Sequence, residues 1–293
     1  MWAANAVLGR FVADQIGPML FNFIRWAIVL VLLLPLAPWL FRRGSGLWVH
    51  RRRLAILAFF SVAAYNSLQY LALHSSSPIN VTLIAASMPV WIILIGAMFF
   101  DTPATGRKLM GAAASIAGVI VVLTGGQIDT IVSFEFRVGD LLILVAIMGW
   151  SIYSWLLTRT DLPDRIRSDW AALLLAQVVY GLMFSGMFTA AEAVFWPQPV
   201  QPSWTLAVIL LAVAIGPSIL AFRAWGESVR RFGPTLAGFC ANLAPLFTAM
   251  LSTLFLGEHP QLHHLAAFTL IAGGIWLSSI GAGGRVAPHR DGA

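Results

Sequence analysis

Ten stretches of the chain are apolar almost without interruption: about 1–13, 18–41, 54–74, 79–100, 106–125, 138–158, 169–191, 204–229, 234–256 and 262–281. Polar and charged residues gather in the short connections between them. Most of the stretches approach the roughly 20 residues that a helix, rising about 1.5 Å per residue, needs to cross a hydrocarbon core. The pattern predicts an all-α integral membrane protein with ten transmembrane helices. A transmembrane β-barrel needs short segments of alternating polarity, and these runs are too long and too uniformly apolar. The first stretch is short, reaching only roughly 20 Å. Residues upstream of Met1 are therefore expected; the other reading is a helix that starts inside the bilayer.

The second half of the chain repeats the first at a fixed offset. Pro78 and Pro89 recur as Pro234 and Pro245, and Gly118 and Gly125 recur as Gly274 and Gly281, each pair 156 positions apart. In so apolar a chain, a repeat of this length predicts two related halves with a substrate path between them. Residues 1–126 hold helices 1–5. Residues 127–293 hold helices 6–10 and a short C-terminal tail. Five is an odd number, so the second copy must cross in the opposite sense, and the charges follow it. The connection at His74-Ser-Ser-Ser becomes Arg230-Arg-Phe-Gly, and Arg107-Lys108 becomes His263-His264. The architecture expected is a 5+5 inverted repeat.

Composition supports the membrane reading and removes others. Hydrophobic residues make up 59% of the 293 positions and charged residues 10%, with a mean hydropathy of +0.83; a soluble domain carries about 25% charge. With the N-terminus inside, one side of the bilayer receives Arg42, Arg43, Arg51, Arg52, Arg53, Arg107, Lys108, Arg159, Arg165, Arg167, Arg230, Arg231, Arg285 and Arg290. The outer connections hold only Arg137. That asymmetry predicts cytoplasmic termini, in a multi-pass protein of a bacterial inner membrane. It also accounts for the basic balance, a net charge of +6, without a nucleic-acid partner. The single cysteine, Cys240, excludes an intramolecular disulfide and a thiolate metal cluster, and is expected to be a small packing residue. The opening run lacks the basic region and cleavage site of a signal peptide.

Polar side chains inside apolar spans are costly, so they are the informative ones. On the third span Tyr65, Asn66, Gln69 and Tyr70 share one face by their helical spacing. On the sixth, Trp150, Tyr153 and Ser154 do the same, and on the fourth Ser87 lies one turn from Trp91. With Asn5 and Asn242 these are the candidate substrate-binding residues. For any single one of them, helix–helix hydrogen bonding or aromatic packing is the competing reading. Pro89 and Pro245 each remove an N–H and free a carbonyl one turn earlier, which suits a hinge in each half or a plain structural kink. Arg223 and Glu227, at i and i+4, are expected to form a local ion pair. Arg10 and Arg25 lie nearer the outer face and either snorkel to headgroups or meet a substrate carboxylate. Gly111, Ser115 and Gly118, with Gly273 and Gly274, permit close helix approach, for packing or for a homodimer contact. Glu258, His259 and His263 do not form a His-Glu-x-x-His motif and Pro260 interrupts them, so no metal or cofactor is expected.

The Trp2-Ala-Ala-Asn5 opening followed by Gly9-Arg10 resembles the first span of the EamA-type permeases of the drug/metabolite transporter superfamily. So do Arg25 in the second span, the prolines at 89 and 245, and the Phe255-Leu-Gly-Glu258 exit. The first copy departs at that exit, reading Phe99-Phe-Asp101-Thr, and no glutamate role carries over to it. The resemblance covers nearly the whole chain and is greatest to the YddG-type amino-acid exporters. It implies an exporter of amino acids, aromatic or other apolar ones among them, and of related small metabolites, working by alternating access. No acidic residue falls in the middle of a span, so obligatory proton coupling is not expected. The alternatives are a proton-coupled multidrug exporter, a membrane-embedded enzyme, for which no paired acid–base groups stand out, and a receptor or scaffold.

Overall fold

The helices end where the backbone lacks donors, or where a side chain satisfies the orphaned ones. The computed structural model describes residues 2–76, 78–126, 137–159, 161–247 and 262–280. The Glu258 exit motif, His259, Arg285, Arg290 and the side chain of Arg10 lie outside the described residues.

Helix α1 spans Trp2–Phe11 and α2 spans Pro18–Leu33. Pro18 takes a first helical position, where its missing N–H costs nothing. The N–H groups of Met19 and Leu20 donate to the two carboxylate oxygens of Glu192, each at 3.0 Å. An acid from a distant helix thus sits on the positive end of the α2 dipole. α2 stops at Leu33 rather than running to residue 41 as the apolar pattern suggested. Pro35 and Pro38 remove two donors and disfavour helical geometry in the residues before them, and Pro38–Phe41 becomes a short 3-10 turn.

Helix α3 (Arg51–Ser75) contains a π-helical segment, Phe59–Tyr65. α4 is in two pieces, Pro78–Ala85 and Met88–Phe99, with Pro89 in the first turn of the second. α5 (Gly106–Thr124) is capped by the Thr105 hydroxyl and closed by Gly125 in the left-handed region, φ 61°. α6 is Val138–Leu156, and α7 is Trp170–Phe195 behind an Asp169 cap. The run from Trp204 to Ala241 carries a second π segment, Ala214–Leu220, and breaks at Gly233, where φ is 82° and ψ 164°. α8 is therefore residues 204–232. α9 begins at 234 and is described to 247, with a turn at Asn242-Leu243 just before Pro245. α10 is Leu262–Ser279. Among the described residues, seven helices are long and apolar enough to cross a membrane.

Two irregularities occur in both halves. The turn at Ala86-Ser87 and the turn at Asn242-Leu243 differ by the repeat offset, and the two π segments start within one residue of it. The first π segment holds no proline, whereas the second holds Pro217.

α5 and α10 run antiparallel at near backbone contact. A Cβ on Gly111 would lie 2.6 Å from the Gly274 carbonyl oxygen, and one on Gly274 would lie 2.5 Å from that of Gly111. One helical stretch further along, Gly118 lies against Ala267 and Ile271. Position 274 is the repeat copy of 118, and 267 is the copy of 111, so the contacts are reciprocal in the manner of a two-fold interface. These glycines are spent within the chain; only Gly273 is open, with nothing within 4 Å.

The centre of the bundle is built by α2, α3, α6, α7 and α8 around fully buried Trp26, Val29, Val62, Ile147, Trp150 and Leu175. The outward faces stay apolar: Phe195, Trp204 and Leu262 are more than four-fifths exposed. Such a surface suits lipid rather than water. Helix ends meet in two layers. One joins Arg53 to Asp161 and Arg159 to the Phe100 carbonyl; the other joins Asp140 to Ser76, and Glu192 to α2.

Two sequence expectations change. Glu227 pairs with Arg230 and Arg231, not with Arg223, whose guanidinium lies 4.6 Å over the Trp170 ring. An acid N-terminal to its basic partner is the better arrangement on a helix. Cys240 is exposed on the outer face of α9 rather than packed inside.

Candidate substrate site

The polar face of α3 turns inward and meets Arg25 of α2. Arg25 is 1% exposed, so it neither snorkels nor reaches headgroups. Its Nε donates to Ser218 Oγ at 2.7 Å, one Nη to Asn66 Oδ1 at 2.9 Å, and the other Nη to the Tyr70 hydroxyl. The Tyr70 hydroxyl in turn donates to Asn5 Oδ1 at 2.6 Å, and Asn5 Nδ2 donates to Gln69 Oε1 at 3.0 Å. All five predicted polar residues of α1 and α3 but Tyr65 therefore form one network around a guanidinium.

The two π segments explain how the partners are aimed. Widening of the α3 backbone leaves the Ser61 carbonyl accepting from Asn66 Nδ2 at 2.7 Å. In α8, Pro217 cannot donate to the carbonyl four residues earlier, and that carbonyl, of Val213, accepts from Ser218 Oγ at 2.8 Å. The Pro217 carbonyl is itself taken by the Trp2 indole N–H at 3.3 Å. Irregular backbone at this depth is tolerated because protein groups cover it.

An aromatic cluster begins where the polar network ends. Tyr65, next to Asn66 in sequence, has its ring 4.7 Å from Trp150. Around Trp150 stand Trp2, Tyr153, Phe222 and Trp225, with centroids 5.0–5.4 Å away. Such tilted and edge-on pairs are worth about 0.5–1.5 kcal/mol each beyond their burial. Trp225 Nε1 donates to Ser154 Oγ at 3.2 Å, and Ser154 Oγ to the Trp150 carbonyl at 2.7 Å. The indole N–H of Trp150 is buried and has no hydrogen-bond partner.

Three predicted residues lie elsewhere. Asn242 donates to the Ala86 carbonyl at 3.1 Å and to Ser115 Oγ at 2.9 Å, tying α9 to the break in α4 and to α5. Ser87 bonds to the Ile84 carbonyl in that same break, and Trp91 is half-buried one turn on. Pro89 and Pro245 flank this junction, not the network around Arg25.

The sequence left Arg25 open between snorkelling and meeting a carboxylate, and it did not single out Ser218, Phe222 or Trp225, which the structure brings to the same cluster. The signal for Arg25 was present, since a charge inside a span is costly and reads as functional by default. A narrow cleft is lined by Gly9, Ile16, Pro18, Phe21, Tyr70 and His74.

The model of the EamA-like transporter family matches residues 1–124 and again residues 137–280. An uncharacterized transporter of Archaeoglobus fulgidus is 24% identical over 96% of this chain and 92% of its own. The uncharacterized inner membrane transporter YedA of Escherichia coli is 26% identical, over 88% of this chain and 80% of its own. The aromatic amino acid exporter YddG of Ancylobacter novellus is 25% identical, over 81% of this chain and 80% of its own. A solved crystal structure, 20% identical, has the same fold with a TM-score of 0.70, covering 94% of this chain and 93% of that one.

Proposed function

From a chain that belongs to the EamA-like transporter family, we propose an exporter of amino acids, apolar and aromatic ones first, and of related small metabolites, in a bacterial inner membrane. The observation that carries this is the seam between the Arg25 network and the Trp150 cluster, both buried at the meeting of α1, α2, α3, α6 and α8. An amphipathic solute needs such a seam, with amides and hydroxyls for its polar end and aromatic rings for its side chain. Asn5, Asn66, Gln69 and Tyr70 serve the first; Tyr65, Trp150 and Tyr153 serve the second, with Ser154 steadying the wall. A relative with an aromatic amino acid exporter's name supports the choice of solute.

Alternating access comes from two inverted halves, 1–126 and 127–293, of five crossings each, with both termini cytoplasmic. The reciprocal α5–α10 contact and the two separate blocks matched by the family support this. The break at Gly233 turns one long apolar run into two crossings, and α1 and α2 supply the remaining pair. The turns beside Pro89 and Pro245, bonded to each other through Asn242, are the hinges. Among the described residues no carboxylate lies in the Arg25 network, so transport runs without obligatory proton exchange. The test is counterflow in proteoliposomes at equal internal and external pH, with a panel of amino acids and cationic drugs. Amino-acid exchange without a pH gradient is the expected result; cationic-drug movement only under an imposed gradient overturns the reading.

A further inference from the structure

The Arg25 guanidinium is a buried cation whose partners are all neutral. It offers five N–H donors to Ser218, Asn66, Tyr70 and, at 3.5 Å, Asn5. Among the described residues no carboxylate pairs with it. Charges taken out of water are ordinarily paired, because neutral acceptors return only part of the lost hydration. A second group nearby is also unfinished. Trp150, 1% exposed, has an indole N–H with no acceptor. The two groups belong to adjoining parts of the site: Tyr65 lies tilted against Trp150 while Asn66 holds Arg25, and Trp2 takes the Pro217 carbonyl while Ser218 takes Nε.

We propose that Arg25 is the anchor for a carboxylate on the transported molecule, with the Trp150 wall receiving an apolar side chain, so that substrates are small carboxylates and carboxylate-free cations are excluded. The inference rests on the transporter reading above and narrows it to a chemical class. A guanidinium and a carboxylate match as two parallel N–H···O bonds. In the arrangement seen here, the Tyr70 hydroxyl and the Asn66 amide oxygen occupy the two η nitrogens that would make that fork. A substrate carboxylate displaces them, and the released amide oxygens of Asn66 and Asn5 are then free to accept from an α-ammonium. Like-charge repulsion at Arg25 acts against amines that bring no anion.

The test compares L-phenylalanine, 3-phenylpropionate and L-phenylalaninamide in counterflow through proteoliposomes of the full chain. Wild type should move the two carboxylates at least ten times faster than the amide. Arg25→Met should abolish that preference, and Arg25→Lys should restore part of it. An amide moved as fast as phenylalanine by wild type, or a folded Arg25→Met that keeps the preference, overturns the proposal. Should Arg25→Met fail to fold, the wild-type melting midpoint decides: both carboxylates should raise it and the amide should not, and equal shifts overturn the anchor. Movement of 3-phenylpropionate without phenylalanine would sink the amino-acid reading and leave the anchor standing. Movement of cationic drugs with neither carboxylate would sink the anchor and leave a transporter.

Discussion

Gly273 and Gly274 are neighbours in α10, yet alanine should have opposite effects at the two. At 274 the new Cβ would sit 2.5 Å from the Gly111 carbonyl oxygen and 3.1 Å from the Ser115 nitrogen. Ordinary contact begins near 3.4 Å, and both neighbours are backbone, so the helices must part by roughly 1 Å. A gap of that size forfeits about a quarter to a half of each dispersion contact along the crossing. Lipid supplies no hydrophobic force between helices to make up the loss. Overpacking of this kind costs about 1–3 kcal/mol. At 273 nothing lies within 4 Å, and alanine gains about 0.4–1 kcal/mol from the lost freedom of the unfolded chain. Melting of the purified protein in detergent, followed by its monodispersity after heating, should place Gly274→Ala well below wild type and Gly273→Ala at or above it. Gly111→Ala should match Gly274→Ala, and the double variant should fall short of the sum, because the first alanine has already opened the shared crossing. Equal midpoints for Gly273→Ala and Gly274→Ala would refute the packing argument.

Three further outcomes are expected. Reporter fusions after His74 and after Arg231 should read outside and inside respectively, and the same signal at both ends the inverted-repeat reading. Asn66→Ala and Gln69→Ala should slow transport by the equivalent of roughly 1 kcal/mol, up to ~3 where a buried partner is stranded; unchanged rates in both at equal expression would reduce these residues to packing. Asp140 is fully buried and accepts from Ser76 Oγ and the Arg137 N–H, so Asp140→Asn should lower thermal stability by about 1–3 kcal/mol; an unshifted midpoint would show that the charge is not needed there.

Apolar periodicity located most helices because it is a local property. The stretches at 106–125 and 138–158 became α5 and α6 nearly residue for residue. Helical spacing also placed Tyr65, Asn66, Gln69 and Tyr70 inward, since one face of a helix is decided by neighbours three and four residues away. What it could not give was partnership across the chain. Arg25 within a span reads equally as a snorkelling side chain until partners as distant as Ser218, 193 residues on, show otherwise. Glu192 as the cap of α2 is legible only once α7 lies beside it. Asn242 looks like any intramembrane amide until the break in α4 presents it with a free carbonyl.

That last bond joins residue 242 to residue 86, which holds the same place in the other half. A position that meets its own counterpart is self-facing, like a residue on the dyad of a homodimer, and like must meet like there whenever the halves are identical. Two alanines would give neither carbonyl a donor, and two asparagines would crowd a pair of amides into the space of one. Fusing both halves into a single chain lifts that restriction, because donor and acceptor can be written separately on the two sides. The halves are therefore not interchangeable at their point of contact: a chain assembled from two copies of the first would set Ala86 against a methyl group and lose the bond that fastens one turn to the other.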